Sequence, residues 1–147
     1  MRGAIVAIAL LLPAAVVAQT PARSSAFELR MDGILARRAT MTHIGLGVTR
    51  PMSRNVQLQL VVGAGATVRE DNDPRASGRA DLLARFAPAP AGASAWGAYA
   101  SAGVGALVER EVEGRAVLVL LLGVRKGDGF FEAGLGGGVR LGIGVRL

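Results

Sequence analysis

Few residues in this chain could perform chemistry, and the only histidine is His43. A metal site needs several ligands, and no cysteine is present to assist a single histidine. Nucleophilic catalysis would pair His43 with a serine. No His-x-Ser stretch exists, and Ser101 is expected to face an interior, away from the loop that carries His43. We interpret His43 as an exposed residue at a loop edge and predict no catalytic, metal-binding or cofactor-binding residue. A lipid-modifying enzyme that depends on His43 is kept as a further hypothesis.

Two glycine-rich stretches, "GVGAL" and "GLGGGV", resemble loops that bind phosphate. Such loops act between a strand and a helix, where backbone N–H groups surround the phosphate. No helical periodicity flanks either stretch, so we interpret both as parts of strands. The basic residues also give no binding signature. The chain has 17 basic and 11 acidic residues, but they are interleaved without a basic run, which argues against nucleic-acid binding.

A set of charged residues recurs at alternate positions of predicted strands. Buried charges must pair, because an unpaired charge away from water carries a large desolvation penalty. We therefore predict that these residues form an ion-pair network inside the fold, in preference to a gate or a binding site. The predicted network comprises Glu28, Arg30, Asp32, Arg79, Asp81, Arg85, Glu132 and Arg140.

The elements that carry these charges are predicted to be β-strands, because apolar residues alternate with polar or glycine residues along most of the chain. In "FELRMDG", for example, Phe27, Leu29 and Met31 share one face. Turn-like segments such as "RPMSRN", "APAPAGASA" and "RKGDG" separate the strands, and "REDNDPRASG" and "EREVEGR" read as polar loops. This rhythm predicts successive antiparallel hairpins in one domain. We count eight strands if Gly136 and Gly137 form a turn, and seven if the chain runs straight through them.

The glycines decide which face is inside. Most of them lie on the polar face of the predicted strands, where on a solvated surface they would only weaken the strand. In a narrow barrel they make room for charged side chains, and an eight-stranded barrel is just wide enough for side chains to fill. The sequence therefore predicts an all-β fold, an antiparallel up-and-down β-barrel with a charged interior and an apolar outer face turned to lipid.

The first residues are predicted to be an export signal. Arg2 precedes an apolar run from Ala4 to Ala18, and the small residues Val16 and Ala18 suit the −3 and −1 positions of a cleavage site. The alternative is a membrane anchor, but the run is shorter than the ~20 residues that a spanning helix needs. We expect residues 1–18 to be a signal peptide and residues 19–147 to be a single barrel domain.

The mature chain resembles the small outer-membrane β-barrel proteins of Gram-negative bacteria, the OmpA/OmpX-like eight-stranded class. The resemblance covers Phe27 to Leu147 as a pattern, and it includes "WGAYASAGVGA" and the terminal "GFFEAGLGGGVRLGIGVRL". Five aromatic residues fall at the periplasmic ends of the predicted strands, where such barrels carry an aromatic girdle. They are Phe27, Phe86, Trp96, Phe130 and Phe131.

Barrels of this class often end in a signal for the barrel-assembly machinery, and the last strand carries a similar pattern. Arg140, Gly142, Val145 and Leu147 match it, although Leu147 stands where phenylalanine is usual. The resemblance implies a monomer in the outer membrane, with membrane lipid and the assembly machinery as partners and a structural or surface-interaction role without cofactors. The alternative is a soluble periplasmic barrel, similar to a lipocalin, that binds an apolar ligand.

Overall fold

The computed structural model describes residues 25–70, 73–88, 96–110 and 112–147. The predicted signal peptide, and most of the turn "APAPAGASA", lie outside the described residues. Within the described residues no helix is long and apolar enough to cross a membrane.

The fold is a closed barrel of eight antiparallel strands in which each strand pairs with its neighbour along the chain and β8 pairs with β1. This confirms the predicted up-and-down β-barrel. The strands are β1 (Ala26–Ala36), β2 (Ala39–Pro51), β3 (Val56–Arg69), β4 (Pro74–Phe86), β5 (Trp96–Glu109), β6 (Val112–Lys126), β7 (Gly129–Gly136) and β8 (Val139–Arg146).

A glycine turn separates the last two strands, so the count of eight is correct and the seven-strand alternative is wrong. The turn consists of Gly137 and Gly138, one residue later than the predicted Gly136 and Gly137. Gly136 still belongs to β7, where it pairs with Val119 of β6. Gly137 has φ +81°, in the left-handed region that favours glycine.

The two predicted polar loops are shorter than the polar sequence suggested. β4 already begins at Pro74, inside "REDNDPRASG", and β6 begins at Val112, inside "EREVEGR". Backbone pairing continues past the apolar alternation, with Val68 opposite Pro74. Pro74 is compatible with this extension because proline is tolerated at the first residue of a strand.

The two faces of the strands differ sharply in polarity. Among the described residues, 29 large apolar side chains are exposed, whereas only nine apolar side chains are buried. The buried apolar residues form two small clusters. Ile34, Met41 and Leu107 lie together toward one end, and Leu83, Val119 and Leu121 form the second cluster. Val61, Tyr99 and Phe130 are buried outside these clusters, and the remainder of the interior is polar and charged.

Close backbone approach explains part of the glycine content. A Cβ atom added at Gly103 would lie 2.0 Å from the carbonyl oxygen of Leu82 on β4, and one at Gly134 would lie 2.0 Å from that of Leu120 on β6. Any side chain at these positions would collide with the neighbouring strand. By contrast, a Cβ at Gly33 would meet no atom within 4 Å.

The aromatic residues divide between the two faces. Phe27, Phe86, Trp96 and Phe131 are exposed on the outer face, as the girdle prediction requires. The prediction is wrong for Phe130, which is only 8% exposed and points into the barrel. Successive residues of a strand point to opposite faces, so Phe130 and Phe131 cannot both lie on the outer surface.

Candidate functional site: the charged interior and its outer mouth

The structure brings all eight residues of the predicted network together inside the barrel. Each is at most 4% exposed. They come from β1, β4, β7 and β8, which the register of the closed sheet brings around one interior. Four are acidic and four are arginines, so their formal charges sum to zero. The residues are Glu28, Arg30, Asp32, Arg79, Asp81, Arg85, Glu132 and Arg140.

One part of the network surrounds Glu28, near the end of the barrel where the chain enters β1. Arg85 of β4 donates to Glu28, with Nη1 2.8 Å from Oε1. Two neutral side chains complete the shell, since Gln59 Nε2 donates to Oε2 at 2.6 Å and Thr49 Oγ1 donates to Oε1 at 3.3 Å. Glu28 is therefore held by three strands besides its own.

The next layer centres on Glu132 of β7. It accepts hydrogen bonds from Arg30, from Arg85 Nη2 at 3.1 Å and from the Tyr99 hydroxyl at 3.0 Å. The Arg85 guanidinium also lies over the Tyr99 ring, 4.5 Å from its centroid, and Arg30 lies 5.5 Å from the Phe130 ring centroid. Such contacts favour a cation over an aromatic face.

The third layer links Asp32 and Asp81 through two arginines. Arg79 Nη2 lies 2.8 Å from Asp32, and its Nε lies 3.2 Å from Asp81. Arg140 repeats the bridge, with Nη2 3.2 Å from Asp32 and Nη1 2.9 Å from Asp81. Arg30 joins this layer to the layer around Glu132, because it donates to Glu132 and its Nε lies 3.0 Å from Asp32. The eight charges thus form one connected network.

This arrangement cross-links strands that are not neighbours in the sheet. Arg85 of β4, for example, is paired with Glu28 of β1 and with Glu132 of β7 across the interior. Two cavities lined by interior side chains lie on either side of the network, one of about 20 Å³ beside Glu28 and one of about 150 Å³ at the opposite mouth. The network therefore fills and braces the centre of the barrel.

His43 lies inside the barrel, so its interpretation as an exposed loop-edge residue is wrong. It is 1% exposed, and its Nε2 lies 3.0 Å from Ser77 Oγ of β4. The prediction failed because β2 begins at Ala39, four residues before the histidine. Alternation from Gly45 and Gly47, which face inward, would have placed His43 on the same face.

Other polar residues share the interior with the predicted ion network. Gln59, Thr49 and Thr67 are each at most 1% exposed, on the polar face of the alternation that the sequence predicts. Ser101 does face the interior, as expected, with 1% exposure. The described residues contain no group of three or more side chains suited to hold a metal ion.

The residues of the predicted assembly signal lie on both faces of β8. Arg140 is buried in the network, and Gly142 also faces inward. Val145 and Leu147 are exposed on the outer face, at 44% and 74%. The Leu147 N–H donates to the Phe27 carbonyl at 2.9 Å, which ties the chain end to β1.

Comparisons of the chain with protein-family models, with curated proteins and with solved structures give no match. The function must therefore be argued from the barrel itself.

Proposed function

We propose that this chain is a small outer-membrane β-barrel protein with a non-catalytic, structural or surface-interaction role. The observation that carries the proposal is the reversed polarity of the barrel: ionised side chains fill its interior, and large apolar side chains cover its outer face. A water-soluble protein rarely exposes a contiguous apolar surface of this extent. A barrel in a bilayer turns an apolar band to lipid and keeps its interior polar.

The outer face supports the proposal in detail. Every outward-facing residue from Leu58 to Val68 on β3 is apolar, and the same holds from Trp96 to Val108 on β5. A strand needs about 9–11 residues to cross the hydrocarbon core. The first six strands have 11 to 15 residues, whereas β7 and β8 have eight each, one fewer than the lower end of that requirement. Closure of β1 on β8 also suits lipid, where an open sheet edge would leave backbone groups without hydrogen bonds.

The interior argues against the alternative of a soluble barrel with an apolar ligand. A lipocalin-like pocket is lined mainly by apolar side chains, which bury the ligand surface. Here the centre is occupied by four carboxylates and four guanidinium groups with their hydrogen-bond partners. Such a centre suits a filled, rigid barrel rather than a container for an apolar molecule.

The remaining parts of the proposal concern export and assembly. We propose that residues 1–18 direct export, that cleavage follows Ala18, and that the terminal strand is read by the barrel-assembly machinery through Arg140, Gly142, Val145 and Leu147. Membrane lipid would be the permanent partner of a monomer.

Fractionation of a Gram-negative host that expresses the full chain tests the proposal. We expect the protein in the outer-membrane fraction, released by detergent but not by high salt, with an N-terminus at or within a few residues of Gln19. The matched control lacks residues 2–18 and should stay in the cytoplasm. Recovery of the full chain in the soluble periplasmic fraction would favour the lipocalin-like alternative, and a retained Met1 would contradict cleavage.

A further inference from the structure

The outer wall of the barrel carries an apolar groove where β8, β1 and β2 meet, with a volume of about 400 Å³. Five of the seven residues that line this wall groove are exposed and apolar, and the other two, Arg30 and Gly144, present almost no side chain to the outer face. The five are Leu29, Met31, Ile44, Ile143 and Val145. A closed cavity of about 150 Å³ can hold benzene, so the wall groove is large enough for a section of an acyl chain.

The apolar path continues from the wall groove to the end of the barrel that carries the chain termini. On β2 the outward-facing residues that follow Ile44 are Leu46 and Val48, both exposed, and the next outward-facing residue is Arg50. Val48 lies opposite Phe27, an exposed residue of the aromatic girdle. Aromatic girdles lie at the boundary between the hydrocarbon core and the lipid headgroups. In a membrane, Arg50 would therefore lie on the headgroup side of this boundary.

The length of this path matches one leaflet of a bilayer. Ile44 and Arg50 are 50 − 44 = 6 residues apart in β2. At ~3.3 Å per residue this separation corresponds to about 20 Å. Strands of membrane barrels are tilted by about 40°, so the distance along the membrane normal is about 15 Å, half of the ~30 Å hydrocarbon core. A lipid whose headgroup meets Arg50 would thus reach the wall groove with its acyl chain.

Two exposed arginines give the headgroup end of this path a positive charge. Arg50 is the last outward-facing residue of β2 before Pro51, and Arg54 lies in the turn between β2 and β3. Among the residues that the structure describes, no ion-pair or hydrogen-bond partner holds either guanidinium. Both are therefore available to an external anion.

The strands around the wall groove offer these arginines no acidic side chain on the outer face. No aspartate or glutamate occurs in residues 33–69 or 133–147. On β1, Glu28 and Asp32 are buried in the interior network. Asp128 is exposed in the turn between β6 and β7, but it lies on the side of β8 that faces away from β1. The positive charge thus favours an anionic partner from outside the chain.

From this arrangement we propose that the wall groove, together with Arg50 and Arg54, binds one anionic phospholipid. The phosphate of the lipid lies at the two arginines, and one acyl chain follows the outer face of β2 into the wall groove. A zwitterionic phospholipid brings an ammonium group to the same two cations, whereas a lipid with a net negative charge does not. The inference rests on the proposed membrane role and adds to it one lipid site with a preference for one class of lipid.

Native mass spectrometry of the refolded barrel tests the proposal. The detergent should be an uncharged polyethylene glycol ether, because a detergent with a phosphate headgroup would compete. The probes are phosphatidylglycerol and phosphatidylcholine with the same two acyl chains, and glycerophosphoglycerol, which is the anionic headgroup without acyl chains. We expect one bound phosphatidylglycerol per barrel, with a higher affinity than phosphatidylcholine. Glycerophosphoglycerol should not bind at the same concentration, because it makes no contact with the wall groove.

Two pairs of variants separate this site from the general attraction of a basic barrel for anionic lipid. Arg50→Gln should lower the affinity for phosphatidylglycerol about fivefold, the contribution of one basic residue beside anionic lipid. Its control, Lys126→Gln, removes a cation at the same end of the barrel that lies over the Trp96 ring, and should bind like the wild type. Val145→Trp fills the wall groove and should weaken the binding of both phospholipids. Its control, Leu122→Trp, lies on the outer face of β6 and should change neither.

Heat-modifiable migration on a gel should show that each variant is folded before its affinity is compared. The proposal is overturned if the wild type binds both phospholipids equally, if Lys126→Gln loses as much affinity as Arg50→Gln, or if Val145→Trp binds like Leu122→Trp. A barrel that stays in solution without detergent would overturn the membrane role as well. A barrel that needs detergent but shows none of these preferences would overturn this inference alone.

Discussion

Substitution of Asp32 by asparagine should destabilise the barrel strongly, because Asp32 is the most heavily shared carboxylate of the interior network. It accepts two hydrogen bonds from Arg30, both at 3.0 Å, and it bonds Arg79 at 2.8 Å and Arg140 at 3.2 Å. The variant keeps the shape of the side chain but leaves four arginines against three carboxylates, a net interior charge of 4 − 3 = +1. Removal of one partner of a buried ion pair lowers the free energy of unfolding by about 3–5 kcal/mol, and we expect Asp32→Asn to lower it by an amount in that range.

The matched control is Glu70→Gln. Its pair with Arg38 is long, 3.8 Å between Nε and Oε1, and both side chains are more than 70% exposed. Exposed pairs contribute about 0–1 kcal/mol, so this variant should unfold like the wild type. Equilibrium unfolding in urea, in micelles or lipid vesicles, can be followed by the fluorescence of Trp96, the single tryptophan of the chain.

A double variant separates the effect of charge balance from the effect of losing each side chain. In Asp32→Asn/Arg140→Gln the interior again has equal charges, three of each sign. Residues that share contacts couple by about 0.5–3 kcal/mol. We therefore expect the double variant to lose less free energy of unfolding than the sum of the two single variants. The reasoning is refuted if Asp32→Asn costs no more than Glu70→Gln, or if the two interior substitutions are simply additive.

Three further predictions concern the lumen, the outer face and barrel closure. Gly103→Leu should abolish folding because a Cβ atom at this position would lie 2.0 Å from a backbone oxygen. Gly33→Ala should fold because a Cβ atom there would meet no atom within 4 Å. Circular dichroism and heat-modifiable migration on a gel would report either outcome. Leu60→Arg, within the apolar band, should lower the free energy of unfolding in vesicles by about 2–4 kcal/mol, and Met52→Arg, at a turn, should lower it by about 0–1 kcal/mol. Equal losses for the two variants would contradict the assigned lipid face. Deletion of Val139–Leu147 removes β8 and should leave no heat-modifiable folded band, so a band that persists would show that closure through this strand is dispensable.

The sequence was sufficient to predict the barrel and its eight interior charges because a single rule, alternation with period two, governs both. Once Glu28 is placed on the polar face, Arg30 and Asp32 follow it. The same rule failed where a strand boundary was misplaced. The prediction of a loop at His43 is wrong because threonines and a methionine, not alternating large aliphatic residues, precede it in β2. The prediction that Phe130 lies at the outer rim is wrong because it counts two adjacent aromatic residues as one girdle, although they face opposite sides of the strand.

The partners within the network could not be predicted from alternation. Arg30 and Glu132 are 102 residues apart in the chain, and Arg140 and Asp32 are 108 apart. Which guanidinium meets which carboxylate depends on the stagger of eight strands around the barrel, and small changes of register move each contact to another residue. The cavity of about 150 Å³ at the mouth opposite Glu28 is hidden from the sequence for the same reason, since His43, Ser77 and Leu107 come together only through the pairing of β2, β3, β4 and β5.

The register also links the glycines to the charges residue by residue. Asp32 lies directly opposite Gly142 of β8, and Asp81 opposite Gly105 of β5. A Cβ atom at these glycines would lie 2.7 Å from Asp32 Oδ1 and 2.3 Å from Asp81 Oδ1. The same juxtaposition holds for Glu28 and Gly47, Arg30 and Gly45, Arg79 and Gly63, Glu132 and Gly123, and Arg140 and Gly134. Seven of the eight charged side chains thus turn inward opposite a glycine, and the exception is Arg85, which lies opposite Gln57 and Ser101. In a barrel of fixed width, the charge network and the glycine pattern are therefore linked, and a side chain added at Gly105 or Gly142 must displace the carboxylate that lies opposite.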